Sequence, residues 1–504
     1  MERIGIIDIG SNSIRLVIYE RTDSGAYRVI DDTKESARLS VRLDKEGRIS
    51  DQDLQYITEI LTRFQHLCKV QGADTIRTVA TAAVRNAADR DRITATLKER
   101  TGLHVDVLSG EEEARLGFLG MINTMNIEDG FLIDIGGGST EITLFRNRSV
   151  IHSVSFPFGA VNMMKRFSVN GEIDGAGARN LIDMVEKALL EHPWIAEHQG
   201  LPLVGVGGTI RALGKMDQRA KRYSLPISHN YELDGTQVED WITLLSGMKL
   251  DKRKRIDGLS KERADIIVPG LMVLHAVFRH SGASRYIISG SGLRDGIFFE
   301  MLRPEAPQFK DVLEHSVSNL LALHPSVSVS HVWQVERLAM KLFADLLSGR
   351  DNAKKLGTYL HVAALLYRIG ISINYYNYYR HTFYLLAHSR LNGLTHREIL
   401  LCAMIASFKS EKQTMPVFSM HRDLLAKEDL GIIIELGSLL QMAVALDRSE
   451  TQPILDLSAE IRGGELKLSV TARHNWEIER RELESLEKVI ARLWNCKLNI
   501  LEAS

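Results

Sequence analysis

Two short segments carry the same chemistry twice. Asp8-Ile9-Gly10-Ser11-Asn12-Ser13 and Asp134-Ile135-Gly136-Gly137-Gly138-Ser139 agree at four of six positions. Each follows an apolar run (Ile4–Ile7, Phe131–Ile133) and precedes a β-rich one (Ile14–Tyr19, Ile142–Phe145). The reading is strand, glycine-rich turn, strand, used twice. A turn of small residues exposes backbone N–H groups in a concave nest that suits phosphate oxygens. One such turn is an ordinary hairpin; a duplicated one implies a phosphate chain gripped between two lobes. Gly10, Ser11, Asn12 and Ser13 in the first copy, and Gly136, Gly137, Gly138 and Ser139 in the second, are therefore candidate phosphate contacts. Arg15 follows the first turn where Glu141 follows the second. One copy offers a fixed cation, the other a second carboxylate.

The acids need a different partner. Asp8 cannot usefully touch a phosphate without a cation or water between them. Asp134 and Glu141 flank the second loop, and an oxygen-ligated Mg²⁺ is the natural bridge to phosphate. No His or Cys stands nearby, which favours Mg²⁺ over zinc. Ser109-Gly110-Glu111-Glu112-Glu113-Ala114 opens a helix, with Ser109 and Glu112 at capping-box spacing. That leaves Glu113 without a structural task, and it is the candidate general base on a water. A helix N-terminus lowers a carboxylate pKa, whereas such a base wants it raised, so burial between lobes has to offset the difference. Arg85 follows the Ile76–Ala80 strand and is either a phosphate clamp through its planar fork or a surface ion pair.

Two further glycine turns, Gly205-Val206-Gly207-Gly208-Thr209 and Ser289-Gly290-Ser291-Gly292-Leu293-Arg294, lie between strand and helix. Each puts a helix N-terminus beside the cleft or is a packing turn; Gly208 and Thr209 join the candidate phosphate contacts. Lys249–Arg255 holds five cations in seven residues. Most such runs are solvated; a polyanion surface is the alternative.

The elements that must position these residues fall into four stretches. Residues 1–125 alternate strands with helices, including one carrying Leu54, Ile57, Leu61, Phe64 and Cys68 at helical spacing. Residues 126–302 repeat that logic, with a helix expected over Arg263–His280. Near Pro304–Pro307 the texture changes, and residues 303–450 read as nearly all helical. Residues 451–504 regain strands at Glu465–Val470 and Leu498–Leu501 around a charged helix, Glu477–Leu493, as a small α/β appendage.

The 504 residues are too many for one core. A formal net charge of −1 supplies no global field for a polyanion, so any anion site is local. Cys68, Cys402 and Cys496 form no CxxC pair and fit a reducing compartment. The N-terminus reads as a strand rather than a signal peptide, and Ile266–Phe278 is too short to span a bilayer. A cytoplasmic location is expected.

Together, Asp8–Ser13, the strand-following Arg85, Ser109–Ala114, Asp134–Glu141 and Gly292–Gly296 resemble the exopolyphosphatase and guanosine pentaphosphate phosphohydrolase family. That family belongs to the actin, sugar-kinase and Hsp70 superfamily. The resemblance implies an α/β chain: two ribonuclease-H-like (actin-like) lobes, then an all-helical HD-like domain and the α/β appendage. It implies an enzyme, an exopolyphosphatase releasing orthophosphate from the end of inorganic polyphosphate. Glu113 then matches the catalytic glutamate, Asp134 and Glu141 the magnesium-side acids, and the two loops the phosphate contacts. Guanosine pentaphosphate is the alternative substrate, and a non-hydrolytic nucleotide-binding regulator the alternative class. A homodimer is expected, with no nucleic-acid or membrane partner. Glu262-Arg263-Ala264-Asp265 also looks like a family motif, without an evident role. The helical domain departs from the HD pattern: Tyr367 and Arg368 stand where a metal-binding His-Asp dyad would fall. Arg cannot replace a metal-binding carboxylate. His331, His361 and His381 are therefore expected to be structural or polyanion-facing. The domain is expected to extend the substrate channel or form a dimer contact.

Overall fold

β1 (Glu2–Ile9) is apolar on both faces because both are covered. Ile7 and Ile9 face a core built with Leu54, Ile57, Leu61, Phe64 and Cys68 of the helix Asp51–Val70, while Ile4 and Ile6 face Leu116, Leu119 and Phe298. In the computed structural model, residues 1–502 are described, and they form two compact units, one of residues 1–312 and one from Leu313 onward.

The first unit holds two sheets of one plan. β1, β2 (Ile14–Arg21) and β3 (Tyr27–Glu35) form an antiparallel meander. β4 (Thr75–Ala80) and β5 (Val105–Val107) add in parallel on the β1 side, giving the order β3-β2-β1-β4-β5. The second sheet repeats it. β6 (Gly130–Ile135), β7 (Thr140–Arg146) and β8 (Ser149–Phe156) form the meander. β9 (Leu203–Val206) and β11 (Tyr286–Ile288) add in parallel, with β10 (Glu232–Leu233) at the edge. Both glycine loops are thus the first hairpin of a lobe.

The helix Gly110–Ile122 lies between the sheets. Leu116 and Leu119 pack toward the first, and Phe118, Met121 and Ile122 toward the second. The capping box starts it: Glu112 N–H donates to Ser109 Oγ at 3.1 Å and Ser109 N–H to Glu112 Oε2 at 2.8 Å. It packs backbone against backbone on the helix Leu293–Leu302. A Cβ on Gly120 would stand 2.1 Å from the Gly292 carbonyl oxygen, and one on Gly296 1.9 Å from that of Leu116.

Residues 303–311 belong to this unit rather than to the helical one. Asn123 brackets them, donating to the Pro307 carbonyl at 2.7 Å and accepting from Phe309 N–H at 2.8 Å, and Phe309 is buried. The helix expected from Arg263 starts later, at Ile267, after a 3₁₀ turn at Lys261–Arg263. That delay frees Arg263 from a helix surface.

The second unit is helical up to Ala445, then closes with a sheet ordered β12-β13-β14 (Ile454–Arg462, Glu465–Ala472, Lys497–Glu502). β12 has no counterpart in the sequence reading, and the charged helix is split at Leu486. His331 is buried, its Nδ1 donating to Asp447 at 2.7 Å and its Nε2 bonded to the Tyr367 hydroxyl. Arg368 pairs with Glu450 at 2.5 Å. His361 sits between Glu336 (2.9 Å) and Glu314 (3.1 Å), and these carboxylates raise its pKa. Among the described residues no group of three His, Cys, Asp or Glu side chains is placed to hold a metal, and no helix is long and apolar enough to cross a membrane.

The glycine crossing makes a direct prediction. Gly296→Ala forces two helix backbones apart and costs about 1–3 kcal/mol as overpacking. In urea titrations of the full chain, the first unit's transition moves to lower denaturant. An unchanged midpoint would show that the crossing tolerates a methyl group.

Candidate functional site

The same hydrogen bond closes both loops: Gly10 N–H donates to Ser13 O at 3.1 Å and Gly136 N–H to Ser139 O at 3.0 Å. Register pairs Asp8 with Arg15 across β1 and β2, and Asp134 with Glu141 across β6 and β7. The loops touch. A Cβ on Gly137 would lie 2.9 Å from Ser11 Cβ and 3.1 Å from Asn12 N. Only small residues allow this approach. Gly138 is used up by it: its Cβ would stand 2.9 Å from Ser11 Oγ, and it does not line the cleft.

The cleft beside this contact has a volume of about 150 Å³. Its walls are the two loops, the glycine turns at Gly207–Gly208 and Ser289–Gly292, the carboxylates of Asp8, Glu113 and Asp134, and the guanidiniums of Arg15, Arg211, Arg263 and Arg294. Asn12 is buried against it, and neither its Oδ1 nor its Nδ2 has a hydrogen-bond partner among the described residues. An unpaired buried amide costs roughly 1–3 kcal/mol, which a ligand oxygen and a donor would recover.

The arginines are the strongest electrostatic feature. Burial, then repulsion from Arg294 and Arg211, brings the Arg15 pKa down to about 10. Arg211 falls to about 10 through burial, Arg294 and Arg263, and Arg263 to about 10 through burial and Arg15. All remain cationic at neutral pH. Among the described residues Arg15, Arg211 and Arg263 have no contact ion pair; Arg294 is loosely paired with Asp32 at 3.4 Å. Like charges held together out of water are stabilised by an anion between them. Gly208 gives Arg263 its place, since a Cβ there would fall 1.8 Å from the guanidinium.

The carboxylates are shifted the opposite way. Burial raises Asp8, with Arg294 and Arg15 opposing it. Asp134 rises to about 6 through burial and the Asp8 charge, against Arg211. Glu141 rises to about 7, chiefly through burial and Asp134. Glu113 is pushed well up, first by burial and then by Glu141. Burial therefore overcomes the helix N-terminus, the condition that a base at this position requires. Glu113 Oε2 accepts from Arg85 Nη1 at 2.7 Å, and the same nitrogen donates to Leu108 O at 2.9 Å. Arg85 is thus turned onto Glu113 and does not line the cleft. Thr209 is buried under the helix Ile267–Ser281, against Gly270, and does not line it either. Glu141 accepts from Ser155 Oγ at 2.8 Å and, with Glu113, Asp134 and Thr143, bounds a void of about 10 Å³. That is close to the space one water occupies.

Asp8 and Asp134 fit a hard cation: both are partly buried, both face the cleft, and the charge of Asp8 raises Asp134. With no three-ligand protein cage among the described residues, the donor set suits Mg²⁺, which keeps waters and takes substrate oxygens.

Arg211, Arg263 and Arg294 have no assigned role in the sequence reading. A signal was present. Three of the four glycine turns have an arginine shortly after them (Arg15, Arg211, Arg294).

Residues 17–305 match the Ppx/GppA phosphatase family, and residues 312–488 match Ppx/GppA phosphatase domain III. The chain is 27% identical over 485 residues to a guanosine-5'-triphosphate,3'-diphosphate pyrophosphatase of Photobacterium profundum, covering 93% of this chain and 91% of that one. A solved PPX-GPPA enzyme of Aquifex aeolicus is 26% identical with a TM-score of 0.50, over 59% of this chain and 98% of its own. An exopolyphosphatase of Cytophaga hutchinsonii shares the fold at 22% identity and a TM-score of 0.56, over 60% and 98%.

Gly208→Ala tests the arginine cluster. The clash is with the far end of a flexible side chain, so Arg263 swings away while the fold survives. Melting stays within about 2 °C of the parent, and calorimetric affinity for inorganic tripolyphosphate falls about tenfold, one lost charge-assisted contact. Unchanged affinity would remove Arg263 from the anion site.

Proposed function

The chain belongs to the Ppx/GppA phosphatase family, and we propose that within it this protein hydrolyses the terminal phosphoanhydride bond of inorganic polyphosphate, releasing orthophosphate. The observation that carries this reading is the group of partly buried guanidiniums without ion-pair partners among the described residues, Arg15, Arg211 and Arg263, beside twin amide-lined loops. Such a wall suits a multiply charged chain better than one carboxylate or one phosphate. Among the described residues no aromatic side chain lines the cleft to stack on a base. That favours the inorganic chain.

The residues divide the work as follows. Loop amides, the Asn12 side chain and the arginines hold the terminal phosphate and the next ones. Glu113 accepts a proton from a water as the water oxygen bonds to the terminal phosphorus. The anhydride P–O bond breaks, and its electrons stay on the departing chain, where the arginines stabilise them. Arg85 fixes the Glu113 rotamer and keeps part of its population ionised. Mg²⁺ held by Asp8 and Asp134 would neutralise charge on the substrate's phosphate oxygens.

A second reading has one specific support. The Photobacterium relative, named for a guanosine pentaphosphate substrate, aligns over nearly the whole chain. Timed phosphate release from long polyphosphate and from guanosine pentaphosphate decides between them. The proposed function predicts the higher kcat/KM on polyphosphate; the reverse order would make this a nucleotide hydrolase.

Glu113→Gln should retain tripolyphosphate binding and lose turnover by about 10²–10⁴. Release at the parent rate would overturn its role. Activity should fall on acidification well above the ordinary carboxylate range, because burial and Glu141 raise Glu113. Glu141→Gln removes a negative charge, so the Glu113 pKa drops and the acid limb of kcat/KM moves to lower pH. A limb that stays in place would mean that Glu113 is not the titrating group.

A further inference from the structure

The turn at Glu262–Asp265 is held from two sides. Arg38, on the first lobe, reaches across to it. Its Nη1 donates to Asp265 Oδ2 at 2.8 Å, and its Nη2 donates to Asp265 Oδ1 at 3.1 Å and to the Glu262 carbonyl at 2.8 Å. This is a bidentate fork, the strongest geometry available to an arginine–carboxylate pair. From behind, buried Arg253 donates to the Ala264 carbonyl at 3.0 Å and to that of Gly171 at 2.5 Å. Arg253 belongs to the basic run Lys249–Arg255, and here it points inward rather than toward solvent. The turn between these two holds carries Arg263.

Arg38 is also tied to the first phosphate loop. Its N–H donates to the Asn12 carbonyl at 3.0 Å, and Ser40 N–H donates to that of Ser11 at 3.2 Å. Arg38 has φ 46°, in the left-handed region. Glycine takes that conformation at less cost, so an arginine kept there marks a side chain with a task. One residue therefore links the first loop to the turn that presents the cleft arginine of the second lobe.

We propose that Arg38 and Asp265 are positioning residues that hold Arg263 in the anion cleft beside Arg15. The physical need is plain. Arg263 is repelled by Arg15, sits outside regular helix, and has a long side chain free to swing into water. Without a rigid turn the repulsion empties the site. With it, the guanidinium stays over Gly208 before substrate arrives, and the ordering cost is already met. The pair touches no reacting atom, so it governs binding rather than the chemical step.

The kinetic half of this inference rests on the proposed function; the structural half does not. In the full-length chain, Arg38→Ala and Asp265→Asn each raise KM for polyphosphate about tenfold and change kcat less than about twofold, as expected for loss of one charge-assisted contact. Arg38→Lys, which keeps the charge but not the fork, stays defective. In an Arg263→Ala background, adding Asp265→Asn changes KM by less than about twofold, since both act through one group. Hydrogen exchange of the substrate-free chain adds a structural reading: Arg38→Ala accelerates exchange across residues 261–266 and leaves the helix Gly208–Lys221 protected. Unchanged exchange, or additive losses in the double variant, would overturn the proposal. If exchange changes as expected while even the parent releases no phosphate from either substrate, the pair stands and the functional reading falls.

Discussion

Charge held out of water without a neutralising neighbour is the constraint around which this protein is built. Four guanidiniums and several carboxylates share one cleft, yet the chain does not let them cancel. Asp8 faces the cleft between two loops and raises Asp134, Asp134 in turn raises Glu141, and Arg15, Arg211 and Arg263 are each lowered by burial and by neighbouring guanidiniums. Such an arrangement is destabilising on its own, because each charge gives up hydration without full repayment. The rest of the first unit offsets that cost with two large apolar cores and a helix packed between two sheets. On the proposed reading, a phosphate chain supplies what the cleft lacks internally.

Duplication solves the positioning problem. One lobe could present one nest of amides. Two lobes of the same topology, each opening with the same hairpin, present two nests that meet where Gly137 lies on Ser11. The copies have then diverged at one register position. The residue opposite the loop aspartate is Arg15 in one and Glu141 in the other. The cation joins the arginines that line the cleft, and the carboxylate stands behind Glu113, raising its proton affinity. The helix Gly110–Ile122 delivers Glu113 from the junction of the lobes, so its position depends on one glycine-to-glycine helix crossing.

Much of this was legible from the residues because it rests on local pattern. The repeated Asp-Ile-Gly turns, the capping box and the strand–helix alternation are short-range signals, and the two-lobe plan follows from them. Glu113 could be singled out by elimination, since Ser109 and Glu112 account for the helix start. What stayed hidden depends on tertiary contact. Arg85 could be read as a clamp or an ion pair, and only the fold brings it onto Glu113 at 2.7 Å. Thr209 follows two glycines like a phosphate ligand, but Gly270 opens a slot that takes it inward. Arg263 reads as a helix residue until the helix is seen to begin at Ile267. In the helical unit, Tyr367 and Arg368 already argued against a metal dyad. The partner of His331, Asp447, lies far along the chain and could not be guessed from spacing.

The central claim is that a phosphate chain ends between the two loops and supplies the anion that the arginines lack. A crystal structure of the Glu113→Gln variant with a short inorganic polyphosphate tests it most directly. The account predicts the terminal phosphate on the Gly10 and Gly137 loops, with Arg15, Arg211 and Arg263 within hydrogen-bond distance of phosphate oxygens. A chain bound elsewhere, with those guanidiniums still unpaired, would contradict it.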